Sequence, residues 1–309
     1  MPISKKPRSK TAFRTSTKAT AFRTSTKARA PAALPDRQAM ETFLAAIAEQ
    51  RGDDATAKAQ DVMYEAWERT TSRSRIALAR KALGISPLCA DAYVLLAEEA
   101  RSIEEARDYY AKGVEAGELA LGPLRFKQYA GHFWGFLETR PYMRARAGLA
   151  STLLQLGDID SALAHYRDML KLNPNDNQGI RYVLAGCLLR QDNDSALKEL
   201  LAAYEDESAS WLYTRALVAF RESGDSDKQA AALVRGAWSA NQHVPAILAG
   251  TKPPVISDDG YVTMGGPDEA TYYVTECGPA WQRTPGAVAW LTKLAATLAP
   301  KRRTRATMH

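Results

Sequence analysis

Paired amphipathic helices that recur about every 34 residues constrain the fold of this chain more than any other feature of its sequence. The clearest pair spans residues 144–176. Its apolar residues fall on one face of each predicted helix: Leu149, Ala150 and Leu153 in the first, and Ala162, Tyr166 and Met169 in the second. Gly157 provides the turn between the helices, and Pro174 ends the second.

The pattern recurs in register, which is the test of a repeat. A shift of about 34 residues carries Leu149 onto Val183 and Ala162 onto Ala196. We identify five units, one with a shortened turn and one degenerate, over residues 62–87, 90–117, 144–176, 179–206 and 210–241. The sequence therefore predicts an array of helical hairpins rather than a single globular core.

The best unit resembles the tetratricopeptide (TPR) repeat. Its small residues Ala150 and Ala162, its turn residue Gly157, its aromatic Tyr166 and its terminal Pro174 match that pattern. Small residues let two helices approach closely, and the aromatic ring fills the space beside them. The resemblance implies an all-α solenoid of helical hairpins.

An aromatic-rich insert interrupts the repeats at about 117–140, and we expect an extra helix there that caps the groove. The last part of the chain predicts two helices that close the open end of the stack. The predicted organisation is a disordered basic tail at 1–35, a repeat domain at 36–250 containing the insert, a helical cap at 251–299 and a disordered basic tail at 300–309.

The tails carry the positive charge of the chain. Residues 1–30 hold nine Lys or Arg and residues 301–309 hold four, with no acid in either range, whereas residues 31–300 hold 28 basic and 35 acidic residues. Residues 11–19 read TAFRTSTKA, and residues 20–28 repeat those nine letters unchanged. Either this tail is an inert duplicated segment under little structural constraint, or its basic, acid-free composition reflects a transit peptide or a nucleic-acid-binding arm formed by its cations and two phenylalanines.

The sequence contains no motif for catalysis. A phosphate-binding glycine loop, an HExxH motif and a nucleophile elbow are all missing. Cys89, Cys187 and Cys277 have no metal-ligand or redox spacing, and we expect the first two to pack as apolar residues. The chain also lacks the long apolar run of a membrane span and the h-region of a signal peptide, which predicts a cytoplasmic protein that is not an enzyme and carries no cofactor or metal.

The insert offers a weak candidate pocket built from His132, Trp134 and Glu138. His132 and Glu138 are residue types suited to acid–base chemistry or metal binding, although nothing else ligand-like surrounds them. A third hypothesis is therefore a hydrolase or metal enzyme that uses this insert.

The predicted concave groove provides the main candidate site. In tetratricopeptide stacks the first helix of each unit lines this groove, and the groove positions here hold Arg144, Arg181, Tyr182, Trp211 and Arg215. Arginines alternating with aromatic rings would suit an acidic peptide or a C-terminal carboxylate. The alternative is that these arginines pair with acids of neighbouring helices. Ala147 and Ser151 stand where chaperone-binding relatives have a Lys and an Asn, so that specialised clamp is not reproduced.

Four segments resemble a narrower group, the suppressor-of-tumorigenicity-seven family. They are CADAYVLLAEEARSIEEARDYYAKGVEAG (89–117), GHFWGFLETRPYMRARAGLA (131–150), NQHVPAILAGTK (241–252) and GGPDEATYY (265–273). The second of these looks typical of soluble bacterial relatives. The likeness covers roughly residues 85–275 and implies no catalytic activity.

The sequence thus predicts a non-enzymatic adaptor or scaffold that binds a partner peptide in the groove. The alternative is a nucleic-acid-associated protein that uses its basic tails while the repeats recruit a partner. A repeat architecture does not itself specify the partner.

Overall fold

The computed structural model of the chain describes residues 55–257 and 262–299. In this part of the chain every regular element is helical: there are thirteen α-helices and two short 3-10 helices, and no β-strand. The prediction of an all-α fold is confirmed. The predicted tails at 1–35 and 300–309 lie outside the described residues.

The chain forms two compact units that divide between Gln178 and Gly179, a point within the predicted repeat domain at 36–250. We call the described residues before this point unit 1 and those after it unit 2.

Unit 1 contains six α-helices. They are α1 (Ala55–Glu68), α2 (Ser72–Ile85), α3 (Ala90–Glu98), α4 (Ile103–Tyr129), α5 (Arg140–Gln155) and α6 (Ile159–Leu172). The 3-10 helices Phe133–Gly135 and Leu137–Thr139 connect α4 to α5. Each α-helix packs against the next, and α3 also packs against α1 and α5. The first helices of successive pairs are therefore neighbours in unit 1.

Unit 2 contains seven α-helices. They are α7 (Ile180–Arg190), α8 (Asp194–Ala203), α9 (Ala209–Ser223), α10 (Lys228–Ala240), α11 (Val244–Leu248), α12 (Pro267–Arg283) and α13 (Ala287–Leu298). The pairs α7–α8 and α9–α10 are hairpins of consecutive helices, and α8 also packs against α9.

Side-chain caps define where many of these helices begin. In each case a side-chain oxygen accepts a hydrogen bond from a backbone N–H two or three residues further on; the capping residues are Thr71, Ser102, Asp158, Asn193, Ser208 and Asp227. The Asn193 side chain, which caps α8, accepts from the backbone N–H of Ala196. A cap of this kind contributes about 1 kcal/mol.

The start of the predicted insert at about 117–140 is part of a longer helix. Residues 103–129 form α4, which bends where Gly122 adopts φ 66° and Pro123 follows. Gly117, the predicted start, lies inside α4, and its lack of a side chain allows it to pack against Tyr142 of α5: a Cβ at position 117 would lie 2.8 Å from the Cβ of Tyr142. The irregular part of the insert is thus the short stretch that follows Tyr129.

Small residues allow close helix packing in unit 1. Ala150 and Ala162 are fully buried, and Tyr166 is almost fully buried. Gly148 of α5 lies directly against the ring of Tyr110 of α4, where any added side chain would overlap the ring. Close approach of this kind explains why α4 and α5 pack so tightly.

The two C-terminal helices pack along the side of unit 2. α12 contacts both α7 and α9, the first helices of their pairs, while α13 packs against α10, α11 and α12. Tyr273 and Trp281 of α12 are buried, and Trp281 Nε1 donates to Tyr273 Oη at 2.9 Å. The predicted pair of C-terminal helices exists, and α12 packs against α7 and α9.

Candidate functional site

Arg144 holds a buried carboxylate. Its Nε donates to Asp91 Oδ1 at 2.8 Å and its Nη2 donates to Asp91 Oδ2 at 2.5 Å. Gln60 Nε2 also donates to Asp91 Oδ2 at 2.7 Å. Asp91 is fully buried, so the three residues form a polar bridge across α1, α3 and α5. Arg144 therefore pairs with an acid of a neighbouring helix, which is the alternative interpretation given above for the groove arginines.

The guanidinium of Arg144 also lies over an aromatic ring. Its Cζ is 5.4 Å from the ring centroid of Trp67, and the ring of Tyr64 lies 6.0 Å from that of Trp67. The Arg144 side chain is 33% exposed, and Tyr64 is 51% exposed. We call Tyr64, Trp67 and Arg144 the aromatic face of unit 1.

Arg181 is enclosed by its own unit. Its guanidinium lies 4.5 Å from the ring of Tyr182, 5.3 Å from that of Tyr204 and 6.0 Å from that of Trp211. Its Nε and Nη2 donate to Asp206 Oδ2 at 3.1 and 2.7 Å. Only about a tenth of the Arg181 side chain is exposed, so it does not offer a charge to a ligand.

Tyr182 completes this cluster. Its hydroxyl donates to Asp206 Oδ2 at 2.5 Å. Burial, together with this hydrogen bond to a carboxylate, raises the pKa of Tyr182 to about 12. Tyr182 therefore stays neutral and serves as a donor to Asp206.

The remaining groove residues of unit 2 are largely covered. Trp211 is 1% exposed and Arg215 is half-buried. The hydroxyl of Thr214, which precedes Arg215, contacts the hydroxyl of Tyr273 in α12 at 3.5 Å. Arg221 donates to Thr284 Oγ1 at 2.9 Å and to Asp194 Oδ1 at 2.8 Å. Three of the five predicted groove residues, Arg181, Tyr182 and Trp211, thus form one largely buried cluster. Of the five, only Arg144 belongs to an open aromatic face.

The candidate pocket of the insert is not assembled. His132 is exposed, and Glu138 accepts a hydrogen bond from the hydroxyl of Tyr129 at 3.1 Å. Trp134 lies under the guanidinium of Arg140, 5.4 Å from its Cζ. Phe133 points into the core instead, where its ring packs against Phe126 at 5.1 Å.

The buried aromatic core of the insert includes Tyr142. Its ring lies 5.1 Å from that of Phe126, and Arg146 Nη1 donates to its hydroxyl at 2.6 Å. Burial raises the pKa of Tyr142 to about 12. This cluster packs the insert onto α5.

The described residues hold no group of three or more His, Cys, Asp or Glu side chains placed to bind a metal ion. Cys89, Cys187 and Cys277 are all buried as free thiols. Burial raises the pKa of Cys89 and of Cys277 to about 12, so neither is a reactive thiolate near neutral pH. Among the described helices, none has the length and apolar character needed to cross a bilayer.

The family-like segments meet in pairs, a relationship that sequence reasoning missed. In unit 1, segment 89–117 contributes Asp91 and segment 131–150 contributes Arg144. In unit 2, Asn241 Nδ2 of segment 241–252 donates to Gly266 O at 2.8 Å and to Glu269 Oε2 at 2.9 Å, both in segment 265–273. Each pair is thus joined by a buried side-chain carboxylate.

Comparison with known proteins identifies the same family that the four segments resemble. The model of the ST7 protein family matches residues 40–294. Protein ST7 homolog of Drosophila pseudoobscura pseudoobscura is 28% identical over 261 residues, covering 76% of this chain and 48% of that protein. Suppressor of tumorigenicity 7 protein-like of Gallus gallus is 28% identical over 260 residues, covering 76% and 46%.

A mammalian relative shows similar coverage. Suppressor of tumorigenicity 7 protein of Macaca fascicularis is 27% identical over 278 residues, covering 74% of this chain and 51% of that protein. The chain spans about half the length of these curated relatives. The matched range includes the Asp91–Arg144 and Asn241–Glu269 pairs, and this chain belongs to the ST7 protein family.

Proposed function

We propose that this chain is a non-enzymatic adaptor built from tetratricopeptide-type hairpins, and that the aromatic face of unit 1 binds a peptide segment of a partner protein. The observation that carries the proposal is Tyr64. It is 51% exposed on the first helix of a hairpin, beside Trp67 and Arg144. Exposed aromatic side chains beside an arginine are the residue types that dominate the binding energy of protein interfaces.

Local packing supports the tetratricopeptide assignment. The small residues Ala150 and Ala162 are buried between helices, and Tyr166 fills the space beside them. Gly157 adopts φ 86°, the left-handed conformation that the turn of such a unit requires. In unit 1 the first helices α1, α3 and α5 lie next to one another, as in a stack of hairpins.

Unit 1, rather than unit 2, is the proposed binding surface. In unit 2 the helix α12 already packs against α7 and α9 with its buried residues Tyr273 and Trp281. A partner would have to displace this helix and expose both side chains to water, which is costly. The aromatic face of unit 1 has no such covering helix among the described residues of that unit.

The chemistry of this face favours an apolar or aromatic side chain in the partner. Arg144 already directs Nε and Nη2 at Asp91, so its charge is compensated within the chain. An acidic peptide would therefore gain less from Arg144 than an unpaired arginine would provide. Tyr64 and Trp67 instead offer two rings for stacking.

The nucleic-acid alternative concerns the tails at 1–35 and 300–309, which lie outside the described residues. The composition of the tails is the only support for this alternative. Binding through these tails would weaken steeply with salt, and deletion of residues 1–30 would abolish a mobility shift.

Affinity purification of two matched variants tests the proposal. Tyr64 and Tyr272 are 51% and 55% exposed, so Tyr64→Glu and Tyr272→Glu place the same charge at equally open positions in different units. We expect a partner that the wild type and Tyr272→Glu retain to be lost from Tyr64→Glu, with unchanged helicity by circular dichroism. Equal recovery with all three proteins would contradict the proposal.

A further inference from the structure

The first hairpin of unit 1, α1 and α2, has apolar side chains that the described residues leave partly uncovered. Ile85 at the end of α2 is 38% exposed. Val62 and Leu78 pack against the core cluster that contains Met63, but both are only partly buried. A terminal hairpin has a neighbour on one side only, so its outer apolar residues require a cap.

Val62 lies on the flank of α1 that faces away from α3. Gln60 donates to Asp91 and thereby shows which flank of α1 faces α3. Positions two residues apart in an α-helix are separated by about 200° around the helix axis, so Val62 lies on the flank opposite Gln60. The same rotation separates Val62 from Tyr64, so this surface is distinct from the aromatic face.

The start of α1 lies beside this surface. Thr56, at the start of α1, is joined to Ser86 by a hydrogen bond between their hydroxyl oxygens of 3.0 Å. Ser86 directly follows Ile85 at the end of α2. The first turn of α1 therefore lies next to the end of α2.

The preceding sequence has the pattern of a complementary partner. Residues 40–48 read METFLAAIA, in which Met40, Phe43, Leu44 and Ile47 have the i, i+3, i+4, i+7 spacing of an amphipathic helix. Only the six residues 49–54 separate this segment from α1, a reach of about 20 Å when extended. The match to the ST7 family begins at residue 40, so it includes this segment and leaves out the basic tail before it.

We propose that residues 40–48 of this chain dock as an amphipathic helix on the surface formed by Val62, Leu78 and Ile85, and so cap unit 1. Removal of apolar surface from water on both sides drives the contact. Because the segment belongs to the same chain and its linker is short, its effective concentration at the surface is high.

Hydrogen–deuterium exchange of the full chain tests this contact. Phe43→Glu/Leu44→Glu should speed exchange of backbone amides in α1 and α2 on the order of tenfold, because the cap is lost. Ile85→Glu should have the same effect, and all three substitutions together should add little more. Phe22→Glu, the same change within the duplicated tail, should leave exchange in α1 and α2 unaltered. Unchanged exchange in Phe43→Glu/Leu44→Glu would overturn the proposal.

A cross-linking measurement identifies the occupant. Leu44→Cys/Ile85→Cys, treated with a flexible bismaleimide, should form a cross-link within one chain at every protein concentration. The native thiols Cys89, Cys187 and Cys277 are buried and provide a low background. Cross-links between chains would show that a second copy covers the surface, and failure to cross-link would show that the segment is elsewhere. Either result contradicts docking within the chain.

Discussion

Arg144 and Asp91 are 53 residues apart in the chain, and their side chains meet through two hydrogen bonds, Nε–Oδ1 of 2.8 Å and Nη2–Oδ2 of 2.5 Å. The carboxylate of Asp91 is fully buried, whereas one third of the arginine side chain reaches solvent. Arg144 therefore neutralises a charge inside unit 1 and at the same time contributes to its surface.

Removal of this arginine should destabilise unit 1. Arg144→Met leaves the Asp91 carboxylate buried without its cation, which we expect to lower the free energy of unfolding by about 3 kcal/mol. Asp91→Leu/Arg144→Met removes both charges and should recover most of this loss. Urea denaturation followed by circular dichroism measures both variants. A double variant as unstable as the single one would show that the ion pair is not the cause.

The contact between Gly148 and Tyr110 predicts a large effect of one methyl group. Gly148→Ala places a Cβ into the ring of Tyr110, and we expect a loss of about 2 kcal/mol from overpacking. Gly236→Ala is the control, since Gly236 is an exposed residue inside α10 whose added Cβ meets only Leu212 at 4.0 Å. This control should gain up to about 1 kcal/mol in helix propensity. Equal thermal midpoints for the two variants would refute the close packing.

Reversal of charge at Arg181 should unfold unit 2 locally rather than only weaken ligand binding. Arg181→Glu would bring a second carboxylate to the buried Asp206, with a cost of about 3–5 kcal/mol. We expect increased protease sensitivity between residues 180 and 220. Arg215→Glu changes a half-buried arginine of the same unit and should have a smaller effect. A stable Arg181→Glu protein would show that the Asp206 contact is dispensable.

The lowered pKa of His165 predicts that unit 1 is less stable at acidic pH. Burial, and next the nearby Arg146, lower the pKa of His165, whose Nδ1 accepts a hydrogen bond from Arg146 Nε at 3.1 Å. The unfolded chain then binds a proton at higher pH than the native chain does. The resulting stability is complete above the unfolded pKa of about 6.5 and declines as the pH falls towards the lower native pKa.

A glutamine substitution isolates this contribution. His165→Gln keeps an acceptor for Arg146 but does not titrate, so its urea midpoint should fall less between about pH 7.5 and pH 5.5 than that of the wild type. Parallel declines in the two proteins would assign the acid sensitivity to other groups.

The local part of this fold was predictable from sequence because helical periodicity is local. Gly157 and Pro174 mark helix ends within a few residues, and the prediction of an all-α fold is confirmed. Distant contacts were not predictable in this way. Neither the meeting of Asp91 with Arg144 nor the packing of α12 on α7 and α9 leaves a periodic signal in the sequence.

The prediction of the groove residues was incomplete for the same reason. Repeat numbering identified the residues expected to face a groove, but it carried no information on what covers them. Arg181 and Trp211 were predicted as ligand contacts and are buried within unit 2. Tyr64 was overlooked because the groove positions of the first unit were not assigned.

Site-specific photocross-linking tests the central claim most directly. A benzophenone amino acid placed at Tyr64, in the full chain and in cells, should cross-link a partner protein, and the same probe at the equally exposed Tyr272 should not capture that protein. Mass spectrometry of the adduct should locate the cross-link in a short segment of the partner that carries apolar or aromatic side chains. Absence of an adduct at position 64, or the same adducts at both positions, would contradict a binding role for the aromatic face of unit 1.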